Sequence, residues 1–291
     1  MDDRQVQLVH VFSAGPGGGN PAPVVLDASG LTDDAMQQIA REYGHESAFV
    51  LPAPEGSGAD IALRFWVPNH EMSMCGHATV GAIWLLDHAG RLGRDRLRIH
   101  TLSGPVEAMI ADAGTDARAV EISQPAGQVE SLGDMAVRAE IASVLGILPE
   151  VLDAGDIQNA CTSRVKTLIP IRSIDELDAI RPDFERIEGL CDRIGSTGLY
   201  PYAGVPASGT VDARQFPQSS GYPEDSATGI AAAALAFGLL RNGAIDGAGS
   251  IRVRQGRAMG RPSEINIRFE HDGSEVTGCW IGGPVHLETA G

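Results

Sequence analysis

Two stretches constrain the fold of this chain more than any other feature: 75-CGHATVGAIWLL-86 and 226-SATGIAAAALAFGLL-240. Both open on small residues, continue at helix-compatible spacing, and carry no Asp, Glu, Lys or Arg. A surface helix shows an apolar stripe opposite a charged face. A helix that is apolar all round is buried on every side. Each half of the chain therefore calls for strands that wrap a central helix, and the two halves read as a weak internal repeat.

The remaining sequence supplies those strands. Alternating or β-branched runs occur at 6–12, 24–26, 47–51, 61–67, 97–102, 105–110 and 118–122. In the second half they occur near 157–162, 165–171, 199–203, 209–216, 250–255, 264–269, 275–281 and 285–288. Helices are expected at 76–89, near 135–145 and 183–194, and from about Ser226 to Asn242-Gly243. A further helix follows Thr32, whose hydroxyl is a helix cap. Asp33 and Asp34 suit the positive end of its dipole, and Gly44 stops it. Met36, Ile39, Ala40 and Tyr43 mark its inner face. Strands outnumber helices and the helices are scattered among them, which is an α+β pattern. The segment 123-SQPAG-127 reads as the crossing between halves.

Charge narrows the function. Against 38 acidic residues stand 22 basic ones, a formal net charge of −16, and Lys166 is the only lysine. Such a chain has no general attraction for phosphate backbones or anionic membranes, so neither nucleic acid nor membrane is an expected partner. The first residues, MDDRQVQLVHVF, are acidic where a signal peptide is basic, and no run approaches a membrane span. The expected location is the cytoplasm. Cys75, Cys161, Cys191 and Cys279 form no C-x-x-C pair and no disulfide framework.

The starts of the two apolar helices carry the chemistry. The first N–H groups of a helix are unpaired, and with the dipole they favour an anion. Small residues at 75–78 and 226–229 let a ligand approach the backbone. This is a way to bind a small carboxylic acid without a cationic side chain. Cys75 and His77 lie at the first start; Glu224 and Asp225 precede the second. Glu46 lies in 44-GHESAFV-50, next to His45 and beside an apolar strand. A carboxyl group whose pKa is raised by burial can move a proton near neutral pH, and Glu46 is a candidate for that role. The opposing reading is a solvated surface glutamate.

Several pieces in order then resemble one family. They are 9-VHVF-12, 17-GGGNPAPVVLD-27, 32-TDDAMQQIAREYGHESAFV-50, 64-RFWVPNHEMSMCGHATVGA-82, 223-PEDSATGIAAAAL-235, 255-QGRAMGRPSEINI-267 and 281-IGGPVHL-287. The chain is similar to the PhzF-type phenazine-biosynthesis proteins, which share the diaminopimelate epimerase fold. The resemblance covers nearly the whole chain and is loosest over 125–200. It implies two pseudo-symmetric domains, 1–122 with 274–291 and 123–273, each a curved, mostly antiparallel sheet around a central helix. It further implies an active site between those domains, and a homodimer. It also implies a cofactor-independent isomerase that shifts a proton on a conjugated cyclic amino acid. Glu46 matches the acid/base glutamate, His77 the active-site histidine and Asp225 the active-site aspartate. Asn20 matches the cleft edge, and Gly76 and Gly229 match the helix-start glycines.

The chain also departs from the pattern. Ile230 stands where a substrate-binding serine is found, Ser226 where proline is usual, and His45 where a small residue is usual. These changes leave the phenazine substrate open; Thr228, before Gly229, stays in the expected substrate-binding set. Cys75 falls where proline racemases and epimerases carry one of two catalytic thiols. Ser226 stands at the second place, and a hydroxyl is too weak an acid to replace a thiol unaided. Cys75 is therefore read as a pocket-lining residue, with a racemase, epimerase or dehydratase as the alternative and a non-catalytic binding protein as a further one. No metal is expected, because Cys75 and His77 show no third or fourth donor in sequence. His10, His88, His100 and His286 read as structural. Abundant Ala, Gly and Arg point to a GC-rich genome, and the family's range points to secondary metabolism such as antibiotic biosynthesis.

Overall fold

The computed structural model describes residues 5–112, 118–204 and 208–288. The chain divides into two compact units. One comprises Met1–Ala14, Gly18–Ser123 and Gly282–Gly291; the other comprises Gly15–Gly17 and Gln124–Ile281. Residues 274–281, assigned by sequence to the first domain, fall in the second unit. Parts of the expected domains, residues 1–4, 113–117, 205–207 and 289–291, lie outside the described residues.

The first unit begins with β1 (Gln7–Val11) and β2 (Asn20–Val25), paired antiparallel with Val9 opposite Ala22. Helix α1 (Asp33–Tyr43) carries the chain to β3 (Ser47–Pro52), parallel to β2. Strand β4 (Ile61–Trp66) returns antiparallel along β3, and the short β5 (Glu71–Met72) folds back on it. Helix α2 (Gly76–His88) crosses to β6 (Arg96–Thr101), parallel to β4. Antiparallel β7 (Gly104–Asp112) and β8 (Arg118–Pro125) follow.

The second unit holds β9 (Gln128–Ser131), α3 (Met135–Leu145), and the antiparallel pair β10 (Gln158–Cys161) and β11 (Val165–Pro170). Helices α4 (Ile174–Ala179) and α5 (Phe184–Ile194) lead to β12 (Gly198–Ala203), parallel to β11. Strand β13 (Thr210–Ala213) and the short β14 (Phe216–Pro217) both pair antiparallel with β12. Helix α6 (Gly229–Arg241) crosses to β15 (Ser250–Gln255), parallel to β13, and β16 (Ser263–Asp272) returns antiparallel. Strand β17 (Glu275–Gly282) follows, and the last strand, β18 (Val285–Leu287), pairs with β1 in the first unit.

The internal repeat is legible in these connections. In the first unit β1–β2 is antiparallel, β2–β3 parallel across α1, β3–β4 antiparallel, β4–β6 parallel across α2, and β6–β7 antiparallel. In the second, β10–β11 is antiparallel, β11–β12 parallel across α4 and α5, β12–β13 antiparallel, β13–β15 parallel across α6, and β15–β16 antiparallel. The same series occurs twice, with the two apolar helices at the same step.

Both central helices are buried around nearly their whole circumference, as their composition requires. His77 through Ile83, Leu85 and Leu86 are buried in α2; Gly229 and Ala231 through Leu239 are buried in α6. Their small residues let the sheet come close. A Cβ at Gly81 would lie 2.8 Å from Val9 Cγ2 and 3.0 Å from Val11 Cγ2. The outer helices are amphipathic instead. Helix α1 packs Met36 and Ala40 against Val25, Phe49 and Trp66. Helices α3, α4 and α5 bury Val144, Leu177, Ile187 and Leu190 against Ile169, Leu199 and Phe216. Tyr43, placed by spacing on the inner face of α1, is 39% exposed, because it is the last helical residue before the left-handed Gly44 turns the chain away.

Candidate active site

Glu46 owes its place to the end of α1. Gly44 adopts the left-handed conformation and donates its N–H to Ala40 O, so the helix stops abruptly. Two residues later Ser47 begins β3, and its hydroxyl donates to His45 O at 3.1 Å. Glu46 is thus held between a helix cap and a fully buried strand residue, with its carboxylate 19% exposed.

Cys75 is the N-cap of α2, with extended backbone and no side-chain cap bond. The Cys75 carbonyl takes the first bond of the helix, accepting the N–H of Thr79 at 3.0 Å, and it also accepts the Thr79 hydroxyl at 2.7 Å. The Cys75 sulfur is left to meet His77, whose Nδ1 lies 3.5 Å away. On the far side of the ring, His77 Nε2 is 3.5 Å from Glu46 Oε2. Cys75 and His77 are both buried, and one donor atom from each of the three residues lies within 4.8 Å of the others. This revises the premise that Cys75 and His77 lack a third donor: folding brings Glu46 to them. Glu46, Cys75 and His77 are the residues that could hold a metal ion. Gly76 opens α2, and Asn20 opens β2 opposite Val11, 8% exposed.

The second unit builds another constellation at the start of α6. Thr228 is its N-cap, but its hydroxyl does not cap the helix. It donates to Asp225 Oδ2 at 2.5 Å. Gln255, 1% exposed, donates to Asp225 O at 2.7 Å and accepts from Tyr200 OH at 2.9 Å and from Thr228 N at 3.3 Å. Asp225 N donates to Gln215 O at 3.0 Å. Asp225 is therefore fixed by its own backbone and by Thr228. Ser226 is 2% exposed, Gly229 is buried, and Ile230 is half-buried. Glu224, its neighbour, is structural: Arg214 grips it in a bidentate pair, Nε–Oε1 and Nη2–Oε2 both 2.8 Å.

Sequence reasoning named Asp225 and Thr228 but not Gln255, Tyr200 or Arg214. Gln255 stood inside a quoted motif, 255-QGRAMGRPSEINI-267, as the only signal. Tyr200 and Arg214 carried none, because their partners lie 55 and 10 residues away. Burial pushes the remaining thiols up: Cys161 is raised, Cys191 to about 11 and Cys279 to about 12. His10 and His286 stack with centroids 5.0 Å apart, and His88 stacks on Trp84.

What the arrangement can do is move a proton. Glu46 is a carboxylate at the edge of solvent beside an imidazole, and the two central helices, like α5, start without a side-chain cap. By contrast, α1, α3 and α4 are capped by Thr32, Asp134 and Ser173. A helix start without a side-chain cap is a place where first-turn N–H groups can meet an anion.

Residues 9–287 match the family described as phenazine biosynthesis-like protein. A protein of Deinococcus radiodurans described as an uncharacterized isomerase is 34% identical over 97% of this chain and 92% of its own length. The trans-2,3-dihydro-3-hydroxyanthranilate isomerase of Pseudomonas fluorescens is 30% identical over 95% of this chain and 94% of its own. Among solved structures, the PhzF-family phenazine biosynthesis protein of Bacillus anthracis superposes with a TM-score of 0.88 at 27% identity, covering 98% of this chain and 96% of that one. A probable proline racemase of Agrobacterium radiobacter shares the fold, with a TM-score of 0.62 at 13% identity over 98% of this chain and 92% of that one. The chain belongs to the phenazine biosynthesis-like (PhzC-PhzF) family and is an isomerase of the PhzF type.

Proposed function

We propose that the protein is a cofactor-independent isomerase that migrates a double bond by shifting a proton on a small unsaturated cyclic amino acid or related carboxylic acid. The observation that carries this reading is the pairing of Glu46, at the edge of solvent, with the buried His77, 3.5 Å apart. Glu46 removes a proton from a carbon made acidic by adjacent unsaturation and returns it elsewhere on the same face of the conjugated system. His77 and Asp225 hold polar groups of the substrate and stabilise charge as it develops. Thr228 orients Asp225 by its hydrogen bond. The substrate carboxylate is received by uncapped helix N–H groups beginning at Gly76 or Gly229, with Asn20, Cys75, Ser226 and Ile230 lining the substrate. The Ile230 side chain offers no hydrogen bond, so the reading stops at the substrate class and is not narrowed to the relative's dihydroanthranilate. A role in secondary metabolism, in the cytoplasm and as a homodimer, accompanies this reading.

The test is deuterium incorporation followed by NMR. Wild type and Glu46→Gln are incubated in D₂O with trans-2,3-dihydro-3-hydroxyanthranilate, other unsaturated cyclic amino acids, and proline derivatives. Deuterium should enter a new ring carbon with wild type, and the rate should fall at least about 1,000-fold in Glu46→Gln, whose fold is checked by circular dichroism. Undiminished turnover in that variant would remove Glu46 from the mechanism. A second reading is favoured by the 3.5 Å contact between Cys75 Sγ and His77 Nδ1: an epimerase, racemase or dehydratase using the thiol. Exchange at the α-carbon with loss of optical purity, abolished by Cys75→Ala and retained by Glu46→Gln, would establish it.

A further inference from the structure

Gln255 is the last residue of β15, and it is 1% exposed. A carboxamide has two donor hydrogens and two acceptor sites, and a buried one left unmatched costs stability. Here all are used. Oε1 accepts from Tyr200 OH at 2.9 Å and from Thr228 N at 3.3 Å; Nε2 donates to Asp225 O at 2.7 Å and to Thr228 Oγ1 at 3.2 Å. Two of these partners are main-chain groups of fixed polarity. An N–H only donates and a carbonyl only accepts, so they decide which end of the amide is oxygen. The next residue explains the close approach. Gly256 is left-handed, and a Cβ there would lie 2.8 Å from Ser226 O and 2.2 Å from Arg261 O. Glycine lets the end of β15 press on the loop that opens α6.

The polarity of the amide then passes along the side chains. Tyr200 is fully buried in β12, and its phenol is pushed up by burial first and by the Asp225 charge second, so it stays protonated and donates. At the other end of the amide, Thr228 Oγ1 accepts from Nε2, which leaves the Thr228 hydroxyl its one hydrogen to place. That hydrogen goes to Asp225 Oδ2 at 2.5 Å, the length of a bond from a hydroxyl to an ionised carboxylate. A hydroxyl that accepts from an amide is also a stronger donor. Thr228 therefore faces Asp225 instead of capping α6.

We propose that Gln255 is a positioning residue for the reaction: held by Tyr200 and by two main-chain groups, its carboxamide directs the Thr228 hydroxyl onto Asp225 Oδ2 and so fixes that carboxylate at the start of α6. Strands β12 and β15 thereby set one side chain of the site. The catalytic consequence rests on the reading of Asp225 as a substrate-holding group; the order of the hydrogen bonds does not.

The first arm of the test needs no substrate. A hydroxyl hydrogen given to a carboxylate over 2.5 Å exchanges slowly and resonates well downfield of a free hydroxyl. Proton NMR of wild type should show this signal, assigned by its loss in Thr228→Val, and it should move upfield in Gln255→Met. Its absence from wild type, or an unmoved signal in Gln255→Met, overturns the proposal; if that variant fails to fold, Tyr200→Phe takes its place. The second arm is turnover of trans-2,3-dihydro-3-hydroxyanthranilate. Thr228→Val and Gln255→Met should each lower kcat about 10–100-fold with little change in KM, the range for a hydrogen bond to a charged group. Thr228→Ser keeps the hydroxyl and should recover most of that loss. In the double variant Gln255→Met/Thr228→Val the loss should be smaller than the product of the two single losses, because Gln255 acts through that hydroxyl. Losses that multiply in full would make Gln255 merely structural and overturn its positioning role. Full turnover by Asp225→Asn would remove that residue from the reaction, while the hydroxyl signal stands or falls by itself.

Discussion

Lys166 makes stability depend on pH in the alkaline range. Its folded pKa, about 8, lies below the ordinary lysine value of 10.5, because burial penalises the charge. Below pH 8 the group is protonated in both states and the native state carries the whole penalty. Between about pH 8 and 10.5 the unfolded chain holds the extra proton, so this contribution to stability rises with pH. Lys166→Met should therefore be stabilised relative to wild type near pH 7, by up to about 3 kcal/mol, and that advantage should vanish by about pH 10.5. Urea unfolding at the two pH values measures it; a difference that does not change with pH would show that the site is not desolvated. Glu46 illustrates the opposite kind of residue. Its place was legible because the helix stop, the glutamate and the strand are contiguous in 44-GHESAFV-50, and its expected role came from the family resemblance. Lys166 was visible in the sequence only as a rarity. Its burial follows from strand alternation and from α6, which lies over 60 residues downstream.

At the scale of elements, the central helices are set by close approach. Replacing a helix-interior glycine with alanine gains about 1 kcal/mol of propensity, while overpacking costs about 1–3 kcal/mol. Gly81 meets two γ-methyls of valines in β1, and valine is stiff at χ1. Gly238 meets the far end of Leu168, which can turn aside. Gly81→Ala should therefore destabilise by about 1–2 kcal/mol while Gly238→Ala stays near neutral; urea midpoints of the two variants compare them directly. The loop before α6 depends on a different contact. Arg214 and Glu224 are 7% and 11% exposed, and Arg214 also donates to Leu177 O and Ile180 O at 3.1 and 2.9 Å. Removing one partner strands a buried charge, so Glu224→Ala should lose about 3 kcal/mol or more, seen as a lowered thermal midpoint. A surface-like loss under about 1 kcal/mol would mean that water reaches the pair. Helix positions were largely legible: α3 falls on Met135–Leu145 and α1 stops at Gly44, because caps and periodicity are local. The strand expected over 209–216 breaks instead into Thr210–Ala213 and Phe216–Pro217, interrupted at Arg214, whose side chain turns to Glu224.

At the scale of the whole molecule, the chain presents two units that repeat one series of strand pairings. No helix among the described residues is long and apolar enough to cross a membrane. The expected homodimer is checked by light scattering, which should give twice the 30.5 kDa chain mass; a monomer at micromolar concentration would refute it. The sequence by itself determined the two buried helices and the repeated α+β plan, because composition, periodicity and short spacings are local properties of a chain; Glu46, His77 and Asp225 were singled out by the family resemblance of the motifs that hold them. Only the tertiary structure decided that Glu46 meets Cys75 and His77, that Arg214 holds Glu224, that Gln255 and Tyr200 brace Asp225, and that the sole lysine faces α6. Those contacts depend on strand register and on which elements pack together, and register is set by the burial of the whole sheet rather than by any one stretch of residues.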